Sequence, residues 1–277
     1  MGYVLDVEPE PAKQPEEKTK QIESFSEEMR KKLAEKFPDR SPAQLAQLEQ
    51  AVFDARKQLE NTLAALADPD FEWDLNVYLT IWFKSFSDET KKALREKCQR
   101  DLDNINKIIT TPDQYLRDVR TAYDDLADMV WRSYSDEEKK NLREMDKKAL
   151  EEKRVPLKPE DKENVDKEWA RIQGDLWGVV YGDNDPEKRM FIGENFWNAS
   201  ETPSTRAGTI RHEVSHLDDV TPTGDTVKIF GSPTTIYAKK AVMLSTTTQE
   251  ALELAAALEH SVGNISYKYT EYLKKKR

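Results

Sequence analysis

The sequence predicts a mainly helical α+β protein, and three observations lead there. Apolar residues recur at helical spacing through long charged stretches. Hydroxyl-capped helix starts appear repeatedly. Only "LWGVVYGDNDPEKRMFIG" has two short apolar runs flanking a turn, as a β-hairpin requires.

The elements follow in order. Residues 1–22 are rich in Glu, Pro and Lys and are expected to form a disordered acidic tail. "SFSEEMRKKLAEKF" reads as a short helix. "SPAQLAQLEQAVFDARKQLENTLAAL" reads as a stronger one: Ser41 caps it, Pro42 fills its first position, and Leu45, Leu48, Val52, Leu59, Leu63 and Leu66 line one face. A third helix follows "WDLNVYLTIWFKSFSDET" and runs through "KKALREKCQRDLDNINKII". From about 112 to 168 the text is charged and helical, broken at Pro156 and Pro159. In the hairpin that follows, residues 179–181 face residues 190–192 across "GDNDP". The remainder reads helix, loop, helix, helix. The segments "SFSEEMRKK", "SFSDETKKA" and "SYSDEEKKN" resemble one another because each is a helix start, with a capping Ser and acids in the first turn. Glu138, three residues after Ser135, completes a capping box. Uneven spacing argues against a solenoid.

The chain has 277 residues, of which 37% are hydrophobic and 35% charged, and a net charge of −10. That balance fits solvated helices around a modest core and argues against a nucleic-acid partner. No apolar run reaches the ~20 residues a membrane span needs, and the first residues lack the pattern of a secretory signal. Cys98 is the single cysteine, so no internal disulfide can form; it reads as an ordinary thiol. The expected location is cytoplasmic, with secretion from a longer precursor as the alternative.

The chemistry concentrates in "AGTIRHEVSHLDDVTPTGD", residues 207–225, which holds two of the three histidines. Positions i and i+4 share a helix face, so His212 and His216 can offer their imidazoles to one ion. Glu213 lies about 100° further round, placed to act on a water rather than to ligate. This is the HExxH pattern of zinc hydrolases, whose metal usually takes three protein ligands. The competing reading is a surface helix with two stray histidines. Pro222 occupies the place where the longest form of the pattern puts its third ligand. Glu250 and Glu253 further on, Asp225 beyond the "TPTGD" turn, and the nearer Asp218 and Asp219 remain as candidates. His260, in "LEHSVGN", reads as a partly buried or capping histidine rather than a ligand.

The chain resembles the aspzincin metalloendopeptidases, which include deuterolysin and the peptidyl-lysine metalloendopeptidases. "HEVSH" with "PTGD" matches their HExxH and GTxD elements, with Pro222 where the family has glycine. "FIGENFWNASETPSTRAGTIRHEVSH", "VYLTIWFKSFSDETKKALREK", "YAKKAVMLS" and "SVGNISYKYTEY" are similar to further family segments, with Lys84 replacing a glycine. The resemblance covers about residues 41–111 and 168–277. It implies a zincin-like single catalytic domain over 23–277, in which 112–167 is a charged helical insertion that could narrow the cleft. It also implies a Zn2+ cofactor held by His212, His216 and Asp225, with Glu213 as general base and Tyr237 stabilising the oxyanion. Ser266 and Lys268 stand where lysine-specific members carry acids, so they are the implied substrate-binding positions, without lysine specificity. The expected function is zinc-dependent cleavage of peptide or amide bonds. Two alternatives stay open: a narrow-substrate intracellular amide hydrolase in a biosynthetic pathway, and a non-catalytic zincin scaffold that binds a partner. The expected partners are a peptide, protein or small amide substrate, with neither nucleic acid nor membrane.

Overall fold

The computed structural model describes residues 23–151, 154–174, 176–198, 203–218, 226–229, 232–235 and 255–276. The expected tail over residues 1–22 lies outside them. The protein is mainly helical, with a small three-stranded sheet. Among the described residues, no helix is long and apolar enough to cross a membrane.

The helix starts follow the capping chemistry. Helix α1 (Glu27–Lys36) begins where the Ser26 hydroxyl accepts from the Met29 amide. Helix α2 (Pro42–Ala65) carries the full capping box of Ser41 and Gln44, with Pro42 at its start. Leu48, Val52, Leu59 and, just past its end, Leu66 are buried, while Leu45 and Leu63 pack partly buried against the same core. The stretch read as a lead-in to the third helix is itself helical, α3 (Glu72–Phe83), and Lys84 ends it in the left-handed conformation (φ 54°). Its apolar residues crowd too densely to show a single stripe. Ser87 caps α4 (Asp88–Thr110), on which Leu94, Cys98, Ile105 and Ile108 are buried.

A short helix, α5 (Pro112–Tyr115), leads into strand β1 (Leu116–Asp118). Helices α6 (Tyr123–Ser133), α7 (Asp136–Met145), α8 (Lys147–Glu151) and α9 (Pro159–Ile172) follow. Ser135 and Glu138 form the expected capping box. Pro159, read as a breaker, occupies the first turn of α9, where a missing N–H costs nothing. The hairpin forms, with its first strand one residue earlier than read: β2 (Gly178–Val180), which excludes Tyr181, pairs antiparallel with β3 (Met190–Ile192). Strand β1 pairs parallel with β3, giving the order β1-β3-β2. The stretch 112–167 thus supplies one strand of the sheet that holds the hairpin.

Strand β3 divides two cores. Its side chains alternate across the sheet, so Met190 and Ile192 enter the larger core. Phe191 enters a smaller one with Val119, Leu126, Val165 and Ile172. Buried ion pairs tie the margins together. The Arg40 Nε donates to Asp118 Oδ2 at 2.6 Å and its Nη2 to Glu194 Oε1 at 2.6 Å. Beyond the sheet come α10 (Glu194–Asn198), α11 (Pro203–His216), the antiparallel pair β4 (Thr226–Ile229) and β5 (Ser232–Thr235), and α12 (Ala255–Lys276). The β4–β5 pair forms in a stretch read as loop.

Candidate metal centre

Helix α11 starts at Pro203, which presets the first turn. Ala207, Ile210 and Val214, at helical spacing, are fully buried in the larger core. The other faces are covered as well: α11 packs against α2, α4, α12 and strand β2. Arg211, His212 and Glu213 are therefore only 5%, 8% and 6% exposed. A polar helix buried on all sides costs free energy unless each group finds a partner. Such conflicts between local sequence and burial concentrate at functional sites.

The partners are specific. The imidazoles of His212 and His216 converge, with ring centroids 5.0 Å apart and planes at 81°. His212 Nδ1 lies 3.3 Å from Glu259 Oε2 on α12. Burial would raise the Glu259 carboxyl, but the hydrogen bond and charge of His212, helped by His260 and Arg211, hold it below the usual carboxylate range. The Glu213 side chain lies against Gly178 of β2. A Cβ on that glycine would stand 2.9 Å from Glu213 Cγ and 3.1 Å from its Oε1, closer than real contacts allow. Glycine at 178 therefore admits the carboxylate between helix and strand.

Two basic residues brace the helix. Arg211 Nη2 donates to the Glu259 carbonyl at 2.6 Å, while its Nε and Nη1 have no hydrogen-bond partner among the described residues. Desolvation pulls this guanidinium down to about 10. Lys97 of α4, 3% exposed, donates to the Ser215 carbonyl and to Asp218 Oδ2, both at 2.9 Å. It thereby satisfies a carbonyl in the last turn of α11, directly before His216. Asp218 also accepts from Arg100 Nε at 2.8 Å. Of the candidates for a third ligand, Asp218 is thus committed to two cations.

Among the described residues, no group of three or more His, Cys, Asp or Glu side chains forms a metal-holding cluster. Asp225, Asp219, Glu250, Glu253 and Tyr237 lie outside the described residues. Within them, two imidazoles meet on one face with a carboxylate behind one and a second carboxylate in the adjoining turn. That donor set fits zinc for two ligands and a base. Ser266 is buried and accepts from Asn61 Nδ2 at 3.2 Å, while Lys268 is exposed on α12. His260, half-buried as read, stacks on Trp82 with centroids 5.6 Å apart. Cys98 is fully buried, and burial pushes its thiol far up, as suits an inert side chain.

Glu259, Arg211, Lys97 and Gly178 join the site only through the fold. Glu259 had a visible signal: an acid inside the apolar run "LELAAALEHSVGNI", six residues past Glu253. The other three had none, because their roles come from packing between distant elements. No protein-family model, curated protein or solved structure matches the chain.

Proposed function

We propose that this chain is a zinc-dependent hydrolase of peptide or amide bonds, a zincin-like metallopeptidase of the aspzincin type. The observation that carries the reading is the buried polar helix α11, which brings His212 and His216 together with Glu213 beside them. A stray pair of surface histidines would be solvated, not enclosed by four elements.

His212 and His216 would hold the metal, with Asp225 as the third ligand that the resemblance implies. When bound, zinc supplies a Lewis acid that polarises a carbonyl and lowers the pKa of a water. The chain's own work is proton transfer and positioning. Glu213 accepts the proton of the attacking water on its carboxylate and returns it to the leaving nitrogen. Tyr237, by the same resemblance, would donate a hydrogen bond to the developing oxyanion.

Strand β2 supports a peptide as substrate. It is an edge strand among the described residues, with β3 on one side only, and Gly178 places it against Glu213. An extended peptide could add to such an edge through main-chain hydrogen bonds.

The test compares wild type with Glu213→Gln on an unstructured protein substrate and on a peptide library, with zinc content measured in both. Cleavage by wild type and its loss by about 10²–10⁴-fold in the variant, at unchanged zinc content, is the expected result. Zinc binding without cleavage of any peptide moves the reading to a narrow-substrate amide hydrolase. Absence of zinc binding ends it.

A further inference from the structure

We infer that Glu259 is the positioning residue of His212, fixing its imidazole so that Nδ1 carries the proton and the Nε2 lone pair is left for the metal. The inference rests on the zinc reading above.

A neutral imidazole has one donor nitrogen and one acceptor, and its surroundings decide which is which. An ionised carboxylate can only accept. Placed 3.3 Å from His212 Nδ1, Glu259 therefore selects the Nδ1–H form. Metal-binding histidines commonly use such a partner, which fixes the ring and raises its basicity.

The contact is built, not incidental. Glu259 comes from α12, more than forty residues along the chain from His212. Two glycines clear the space for it. Gly208 lies one turn before His212, and a Cβ there would stand 2.7 Å from Glu259 Oε1. Gly263 lies one turn after Glu259, and a Cβ there would stand 3.1 Å from Arg211 Nη2. That same Nη2 holds the Glu259 main-chain carbonyl at 2.6 Å. Neighbouring residues of α11 thus grip Glu259 twice, Arg211 at its backbone and His212 at its carboxylate. A carboxylate serving only to neutralise Arg211 would bond the guanidinium itself, whose Nε and Nη1 have no hydrogen-bond partner among the described residues.

The test measures zinc affinity of the full chain by competition with a chromophoric chelator. Glu259→Ala should weaken binding by about 10–100-fold. Glu259→Gln keeps an amide oxygen that accepts from Nδ1–H, and should stay much nearer wild type. Gly208→Ala, which drives a methyl into the carboxylate, should fall between them. His212→Ala should lose more than any of these. Nitrogen-15 spectra of zinc-free wild type supply a readout that needs no variant, with the His212 proton on Nδ1. An Nε2-protonated His212, or a Glu259→Ala protein of unchanged zinc affinity, overturns the inference and leaves the zinc reading standing. Glu259→Gln as damaging as His212→Ala also overturns it, because Glu259 would then be a ligand. If His212→Ala binds zinc like wild type, the zinc reading falls and takes the inference with it.

Discussion

Around α11 the larger core encloses Lys97, Asp101, Arg211, His212, Glu213 and Asp218, all buried. Around α6 and α9 the smaller core is apolar; charges such as Glu163 and Lys167 meet at its rim, each about two-thirds exposed, while the buried Arg189 beside α6 gives its Nε and Nη2 to Asp185 and its Nη1 to Asp125. Both regions bury charge, but Arg189 has every guanidinium nitrogen on a carboxylate, whereas Arg211 leaves Nε and Nη1 without a hydrogen-bond partner among the described residues. Rim pairs in water contribute little. Interior charges carry desolvation costs that a structural role alone seldom offsets. The incompletely paired charges around α11 are what the proposed function would account for.

Five substitutions and one pH profile test this contrast. Lys97→Met should be the most damaging. It leaves Asp101 and Asp218 sharing the interior with one cation fewer and uncaps the Ser215 carbonyl. A loss of about 3–5 kcal/mol in urea unfolding is expected. A neutral outcome would mean these charges are solvated and the contrast is false.

Leu59→Ala, in the larger core, should cost about 2–5 kcal/mol, and Val165→Ala, in the smaller one, distinctly less. Because α2 packs along α11, only the first should also weaken zinc binding. Equal effects on zinc binding would show that the two cores are not separate in function.

The pH profile concerns Asp101. Burial raises its carboxyl to about 6 from the ordinary 3.8, opposed by Lys97 and reinforced by the charge of Asp218. Lys97 also serves Asp218, so Asp101 does not have this ammonium to itself. Between about pH 4 and 6 the folded chain therefore binds more protons than the unfolded one, and stability on this group falls as pH rises. Asp101→Asn should flatten that stretch of the profile and raise stability at pH 7 by up to ~2 kcal/mol. At the small end, Lys167→Ala should change stability by less than about 0.5 kcal/mol.

What the sequence made legible was local. Ser26, Ser41, Ser87 and Ser135 each cap the helix they precede, since a hydroxyl and the amides it satisfies lie within three residues. The β2–β3 hairpin was legible for the same reason, with both runs flanking one turn. Of the site, the spacing of His212, Glu213 and His216 showed the shared face, because i and i+4 fix it. What stayed hidden depends on distant residues. Strand β1 is three residues of charged text, and only its parallel pairing with β3 makes it a strand. Helix α3 carries Trp73 and Val77 on its exposed side, which blurs its period in the sequence. The burial of α11 on every side, Gly178 beside Glu213 and Glu259 behind His212 all arise from elements brought together by the fold.

The most direct measurement is a crystal of the zinc-loaded chain with anomalous data on both sides of the zinc edge. Zinc held as proposed gives one peak about 2.0–2.1 Å from the Nε2 atoms of both His212 and His216. A peak bound elsewhere, or none beside these two rings, would contradict it.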